Sequence, residues 1–246
     1  MSRDVDKARS QAPASAKRSG DVDAFLAKLQ AAPKPASQAA GRLIFALDAT
    51  ASRQLSWDQA MHLQGEMFQE AAKVGNLAIQ LVFYRGFGEC RASKWYTDSG
   101  ALLKAMTGVT CLGGKTQLGK VLKHANDETR KQKVGALVFV GDAFEEDIDD
   151  VCHRAGELGL QGVPAFMFQE GPNPLAANAF RQIAKLTGGA YCPFDEASAA
   201  QLAELLRAVA VFAAGGHKAL ADYSRSGSGE VKRLAAAVKA LPGAKG

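Results

Sequence analysis

Asp48, Thr50 and Ser52 stand at alternate positions in the stretch GRLIFALDATAS, residues 41–52, directly after an almost unbroken apolar run. One carboxylate and two hydroxyls can therefore converge where a strand ends and its crossover begins. Ligands of open parallel sheets collect at that edge. A second all-apolar run, Ala136–Val140, ends in Gly141-Asp142 and repeats the strand-then-carboxylate design. If the two strands are neighbours, about 4.8 Å apart, their carboxylates lie close enough to share a cation. The cation would offset the repulsion that otherwise raises one of their pKa values.

The elements that must position these groups are legible in the pattern of apolar residues. A run that is apolar on both alternations reads as a parallel strand covered on both faces, and 43–47, 77–84, 136–140 and 163–168 fit that description. Cys90–Thr97, of mixed polarity, reads as a hairpin partner at a sheet edge, and Gly189–Pro193 as a short last strand. Helices are expected over 56–74, opened by the capping pair Ser56 and Gln59, and over 99–106, 117–130, 148–158, 174–186 and 198–213. Asn173 and Pro174 supply an N-cap and an N1 proline. The resulting fold class is α/β: a doubly wound, mostly parallel six-stranded sheet with one antiparallel edge strand and helices on both faces, Rossmann-like in layout. Domain organisation follows composition. Residues 1–40 are expected to form a flexible basic arm with a short helix near 21–30, 41–215 the α/β domain, and 216–246 a basic tail with a helical stripe at 230–241.

The chain has 246 residues, 47% hydrophobic, and a net charge of +5. The excess charge lies in the two ends and leaves the middle net acidic, which argues against a nucleic-acid-binding face on the domain. No apolar run approaches the roughly 20 residues of a spanning helix, and a cytoplasmic setting is expected. Cys90, Cys111, Cys152 and Cys192 are scattered singly and read as reduced thiols.

In order, spacing and expected element, the set D-x-T-x-S at Asp48, Thr50 and Ser52, G-G-K-T ending at Thr116, and the strand ending at Asp142 resembles the metal-ion-dependent adhesion site of von Willebrand factor A domains. The resemblance covers roughly Arg42 to Ala213. It implies metal coordination by the hydroxyls of Thr50, Ser52 and Thr116, directly or nearly so, with Asp48 and Asp142 acting mainly through water. All-oxygen donors suit a hard cation such as Mg2+, with Mn2+ or Ca2+ as substitutes. The function implied is that of a bacterial, stand-alone interaction module without catalysis. Its metal takes an Asp or Glu of a partner protein, in some relatives beside an AAA-type ATPase, and Arg53, Lys115 and Phe144 are expected on the rim. Thr50 and Ala143 depart from the family's usual Ser and Gly without removing a ligand.

Two enzyme readings compete. Gly114-Lys115-Thr116 mimics a nucleotide-binding P-loop, yet Val109 stands where that motif needs glycine, and a helical segment precedes the loop where a strand is required. Asp48 resembles the nucleophile of haloacid-dehalogenase-like phosphatases, but Thr50 occupies the acid–base position and cannot transfer protons at neutral pH. His62, His124, His153 and His217 read as surface or packing residues, and Phe87, flanked by glycines, as the aromatic most suited to touch a partner.

Overall fold

A computed structural model describes residues 24–32, 41–54, 77–194 and 199–226. Helix 24–31 (α1) precedes Gly41–Asp48 (β1), and a single 3-10 turn, Ala51–Arg53, follows the strand. Then come Leu77–Arg85 (β2), Glu89–Tyr96 (β3), Ser99–Thr107 (α2), Leu118–Lys131 (α3), Ala136–Gly141 (β4), Ile148–Leu160 (α4), Ala165–Glu170 (β5), Pro174–Thr187 (α5), Ala190–Phe194 (β6) and Ala199–Ser226 (α6). The expected helix over 56–74, its capping pair and the 230–241 stripe lie outside the described residues.

The six strands are ordered β3-β2-β1-β4-β5-β6. Only β3 is antiparallel, paired with β2; β1 runs parallel to both β2 and β4, and β5 and β6 continue the parallel set. The winding direction therefore reverses between β1 and β4, and this switch point puts the carboxyl ends of those two strands side by side.

Burial explains why β1 and β4 carry no polar alternation. Leu43, Phe45 and Leu47 join α1, α2 and α6 on one face, while Ile44 and Ala46 join α3, α4 and α5 on the other. Removing a fully buried aromatic such as Phe45 or Phe139 would cost about 3–5 kcal/mol. On the first face Phe25 of α1 meets Phe166 and Phe168, with ring centroids 5.8 and 5.2 Å apart. By contrast β3 is largely accessible, as an edge strand with one covered side must be.

The sequence reading ends the last domain helix near 213 and begins a tail at 216. The helix breaks at Gly216, whose backbone is non-helical (φ 64°, ψ −156°), but a second helical stretch follows as far as Ser226, and its Leu220 is buried in the first-face core. The ten residues after Gly216, HKALADYSRS, are too few and too polar to set up a helical stripe, which is why this second stretch is not legible in sequence. No described helix is long and apolar enough to cross a membrane.

Candidate metal centre

Asp48 is the last residue of β1, one position past the Leu47–Val140 pair, and its carboxylate has no exposure to solvent. Thr50 N–H donates to Oδ1 at 2.8 Å and the Tyr84 phenol donates to Oδ2 at 2.9 Å. Burial raises the pKa of Asp48, the bonds from Thr50 and Tyr84 act in the opposite direction, and the negative charge of Asp142 adds to the rise. Tyr84 is itself pushed well above its ordinary value by burial and by the charge of Asp48, so it stays a donor. Its ring stacks on Phe139 at 6.1 Å, which fixes where the hydroxyl points.

The hydroxyls of Thr50 and Ser52 lie 3.0 Å apart, Thr50 buried and Ser52 exposed, so the turn after β1 presents two oxygens at the edge. Gly141 separates Asp48 from the chain leading to Asp142: a Cβ there would sit 3.2 Å from Asp48 Cβ and 2.8 Å from the Phe139 ring. Asp142 does not cap the following helix. Asp147 does, accepting from Asp149 N and Asp150 N. Instead Asp142 Oδ1 is buried without a hydrogen-bond partner.

Thr116 reaches this edge through a braced loop. Leu112 N donates to Ala49 O at 3.0 Å, and Lys115 N donates to Gly86 O at 3.1 Å. Gly114 passes so near Gly86 that a Cβ on it would stand 2.0 Å from Gly86 O, leaving no room for a side chain. Beyond the loop, Glu145 N donates to Thr116 Oγ1 at 2.9 Å while Glu145 Oε2 accepts from Thr116 N at 3.3 Å. This reciprocal pair ties the Thr116 loop to the loop that carries Asp142. Glu146 completes the tie by accepting from Gly119 N at 2.9 Å, where a carboxylate meets the positive end of α3.

Of the three residues expected on the rim, only Lys115 is exposed. Arg53 is 1% exposed; its Nη1 donates to Asp48 O at 3.0 Å and its Nε to Glu170 Oε2 at 2.9 Å, bridging the ends of β1 and β5 over β4. Phe144 turns inward and packs in the second-face core. Both corrections have one cause: a loop residue beside a sheet edge faces either solvent or core, and short-range sequence does not distinguish the two. Tyr84, Glu145, Glu146 and Glu170 were not singled out in sequence. Tyr84 stands opposite Asp48 in the β1–β2 register, a pairing that only the assembled sheet reveals.

Among the described residues no group of three or more His, Cys, Asp and Glu side chains is placed to hold a metal. The donors gathered here are of another kind: two carboxylates and hydroxyl oxygens, with one carboxylate oxygen buried and unpartnered. That chemistry fits a hard divalent cation. The Gly114–Thr116 loop follows α2 and irregular chain, so the strand–loop–helix setting of a phosphate-binding loop is missing.

No protein-family model matches the chain, and no curated protein matches it. Solved structures do. The chain resembles von Willebrand factor type A from Catenulispora acidiphila at 17% identity and TM-score 0.59, over 72% of this chain and 43% of that one. The SpRpn10 VWA domain matches at 14% identity and TM-score 0.54, over 72% and 97% of the two chains. Proximal thread matrix protein 1 from the mussel byssus, with a zinc-occupied MIDAS motif, matches at 14% identity and TM-score 0.55, over 70% and 46%. The chain therefore has the fold of a von Willebrand factor A domain. It spans less than half the length of the Catenulispora and mussel proteins.

Proposed function

We propose that this chain is a protein interaction module whose contact depends on a divalent cation, Mg2+ with Mn2+ or Ca2+ as substitutes. Thr50, Ser52 and Thr116 hold the ion through their hydroxyls, and Asp48 and Asp142 hold it mainly through water. The observation that carries the reading is Asp142 Oδ1, buried beside Asp48 with no hydrogen-bond partner. Leaving such an oxygen unsatisfied costs about 1–3 kcal/mol, more when it is charged, and a bound cation removes that cost. The zinc-occupied motif in the mussel protein supports a divalent ion at this edge of the fold.

With two carboxylates balancing the ion, an Asp or Glu of a partner protein takes an open coordination position. The setting is the bacterial cytoplasm, the partners extend to members of an AAA-type ATPase complex, and the module carries out no catalysis. Both Asp48 oxygens are engaged by Thr50 N and the Tyr84 phenol, a poor state for a nucleophile. Calorimetric titration of Mg2+ into the protein, followed by a short Glu-containing peptide, tests the reading. One metal site is expected, with peptide heat present in Mg2+ and absent in EDTA. Peptide heat that is unchanged by chelator contradicts it.

A further inference from the structure

Resting on that metal-dependent reading, we propose that the partner's binding segment carries an apolar side chain about three residues from its acidic one, seated on Phe87 and Leu112 beside the metal edge. Five large apolar side chains are exposed among the described residues, and three of them, Leu160, Leu175 and Leu186, lie on α4 and α5. The other two, Phe87 (84% exposed) and Leu112 (52%), lie on the β2–β3 turn and on the loop after α2, at the edge that bears Asp48. A Cβ on Gly86 would touch Leu112 Cδ2 at 3.4 Å, so the leucine lies against the turn whose tip is Phe87.

The patch is braced as well as exposed. Gly86 N donates to Leu112 O at 3.4 Å, Lys115 N donates to Gly86 O at 3.1 Å, and Gln117 Nε2 donates to both Arg85 O and Gly86 O at 3.2 Å. Leu112 N is bonded to Ala49 O, next to Asp48 in the chain. A pre-ordered apolar pair loses little conformational freedom on binding, which favours its use as an anchor. Exposed Lys115 lies between Leu112 and Thr116 in sequence and adds positive charge on the metal side of the patch. That charge is complementary to an acidic segment and opposed to a basic one.

The spacing follows from the register. Tyr84 pairs with Asp48, and Phe87 lies three residues further along. β2 ends at Arg85 and the chain turns at Gly86 (φ 61°), so Phe87 stands just beyond the strand end that faces Asp48; a gap on the order of 10 Å is one that an extended segment covers in about three residues. The occupant is therefore an extended acidic segment of another protein, with a Leu, Ile or Phe at that offset.

Two fluorescein-labelled Gly/Ser peptides, each with one Glu, test the proposal by polarisation; one also carries Leu three positions from the Glu on both sides. In Mg2+ the Leu peptide is expected to bind at least about tenfold more tightly, the effect of burying one such side chain, and in EDTA neither should bind. The double variant Phe87→Ser with Leu112→Ser should abolish the tenfold difference and keep the Mg2+-induced rise in melting temperature. Equal affinities, or no binding by either peptide, in protein that shows the Mg2+ rise would overturn the inference and leave the metal site standing. Absence of the Mg2+ rise in the unmutated protein removes the underlying reading and this one together. A dimer in sedimentation that the double variant converts to monomer would assign the patch to a second copy and overturn it too.

Discussion

The Tyr84 phenol donates to Asp48 Oδ2 at 2.9 Å across the ladder in which β1 and β2 place these two residues directly opposite each other. The bond orients a buried carboxylate that the proposed site uses through water. Groups that orient a ligand from behind typically change metal affinity by about tenfold or more when removed. Tyr84→Phe keeps the ring and its stacking on Phe139. It is expected to lower stability by about 1–2 kcal/mol in EDTA and to weaken Mg2+ by about tenfold, as read by calorimetry.

Asp48 also sets a pH dependence in metal-free protein. Burial raises its pKa above the ordinary 3.8, so the folded state binds this proton more tightly than the unfolded chain. Its contribution to stability is thus greatest at low pH and declines as pH rises from 3.8 through the raised value, because the charge must then be carried inside the fold. Asp48→Asn is expected to be more stable than the unmutated protein in EDTA at pH 7, by urea unfolding, and to gain nothing from Mg2+.

Glu128 behaves in the opposite sense, far from the metal edge. Burial opposes its charge, but hydrogen bonds from Lys131 and Trp95, with nearby positive charge, outweigh burial and hold the carboxyl at about 2. Arg42 also donates to it at 3.0 Å. A depressed carboxyl pKa stabilises the fold above the ordinary 4.5, and that stabilisation is lost as pH falls from 4.5 to about 2. Glu128→Gln should cost about 2–3 kcal/mol at pH 7 and only a small part of that at pH 2, as read by unfolding at the two pH values.

Gly141 is the contact on which the spacing of the two carboxylates depends. A methyl group there collides with the Phe139 ring at 2.8 Å and presses on Asp48 Cβ at 3.2 Å. Gly141→Ala is expected to destabilise the fold by about 1–3 kcal/mol and to weaken Mg2+ binding beyond what the stability loss explains, because Asp48 must shift. Calorimetry on folded protein separates the two effects.

The architecture was readable because a buried parallel strand has a composition of its own. The runs at 43–47 and 136–140 are too short for a typical helix and apolar on both alternations, as central strands covered on both faces are. The N-cap at Asn173 and the proline at N1 are local chemistry and stand as read. What escaped is long-range. Arg53 finds Glu170 at a sequence separation of 117, and Tyr84 finds Asp48 across 36 residues; no periodicity encodes such pairs. In the same way the roles of Glu145 and Glu146 come only from the fold, which brings Thr116 and the start of α3 to them.

The most direct measurement of the central claim is thermal unfolding of the unmutated protein and of Asp142→Ala, each in millimolar Mg2+ and in EDTA. A ligand that binds only the native state must raise its melting temperature. Mg2+ is expected to raise the melting temperature of the unmutated protein by several degrees and to leave that of Asp142→Ala unchanged. Equal melting temperatures of the unmutated protein in Mg2+ and in EDTA would contradict the claim.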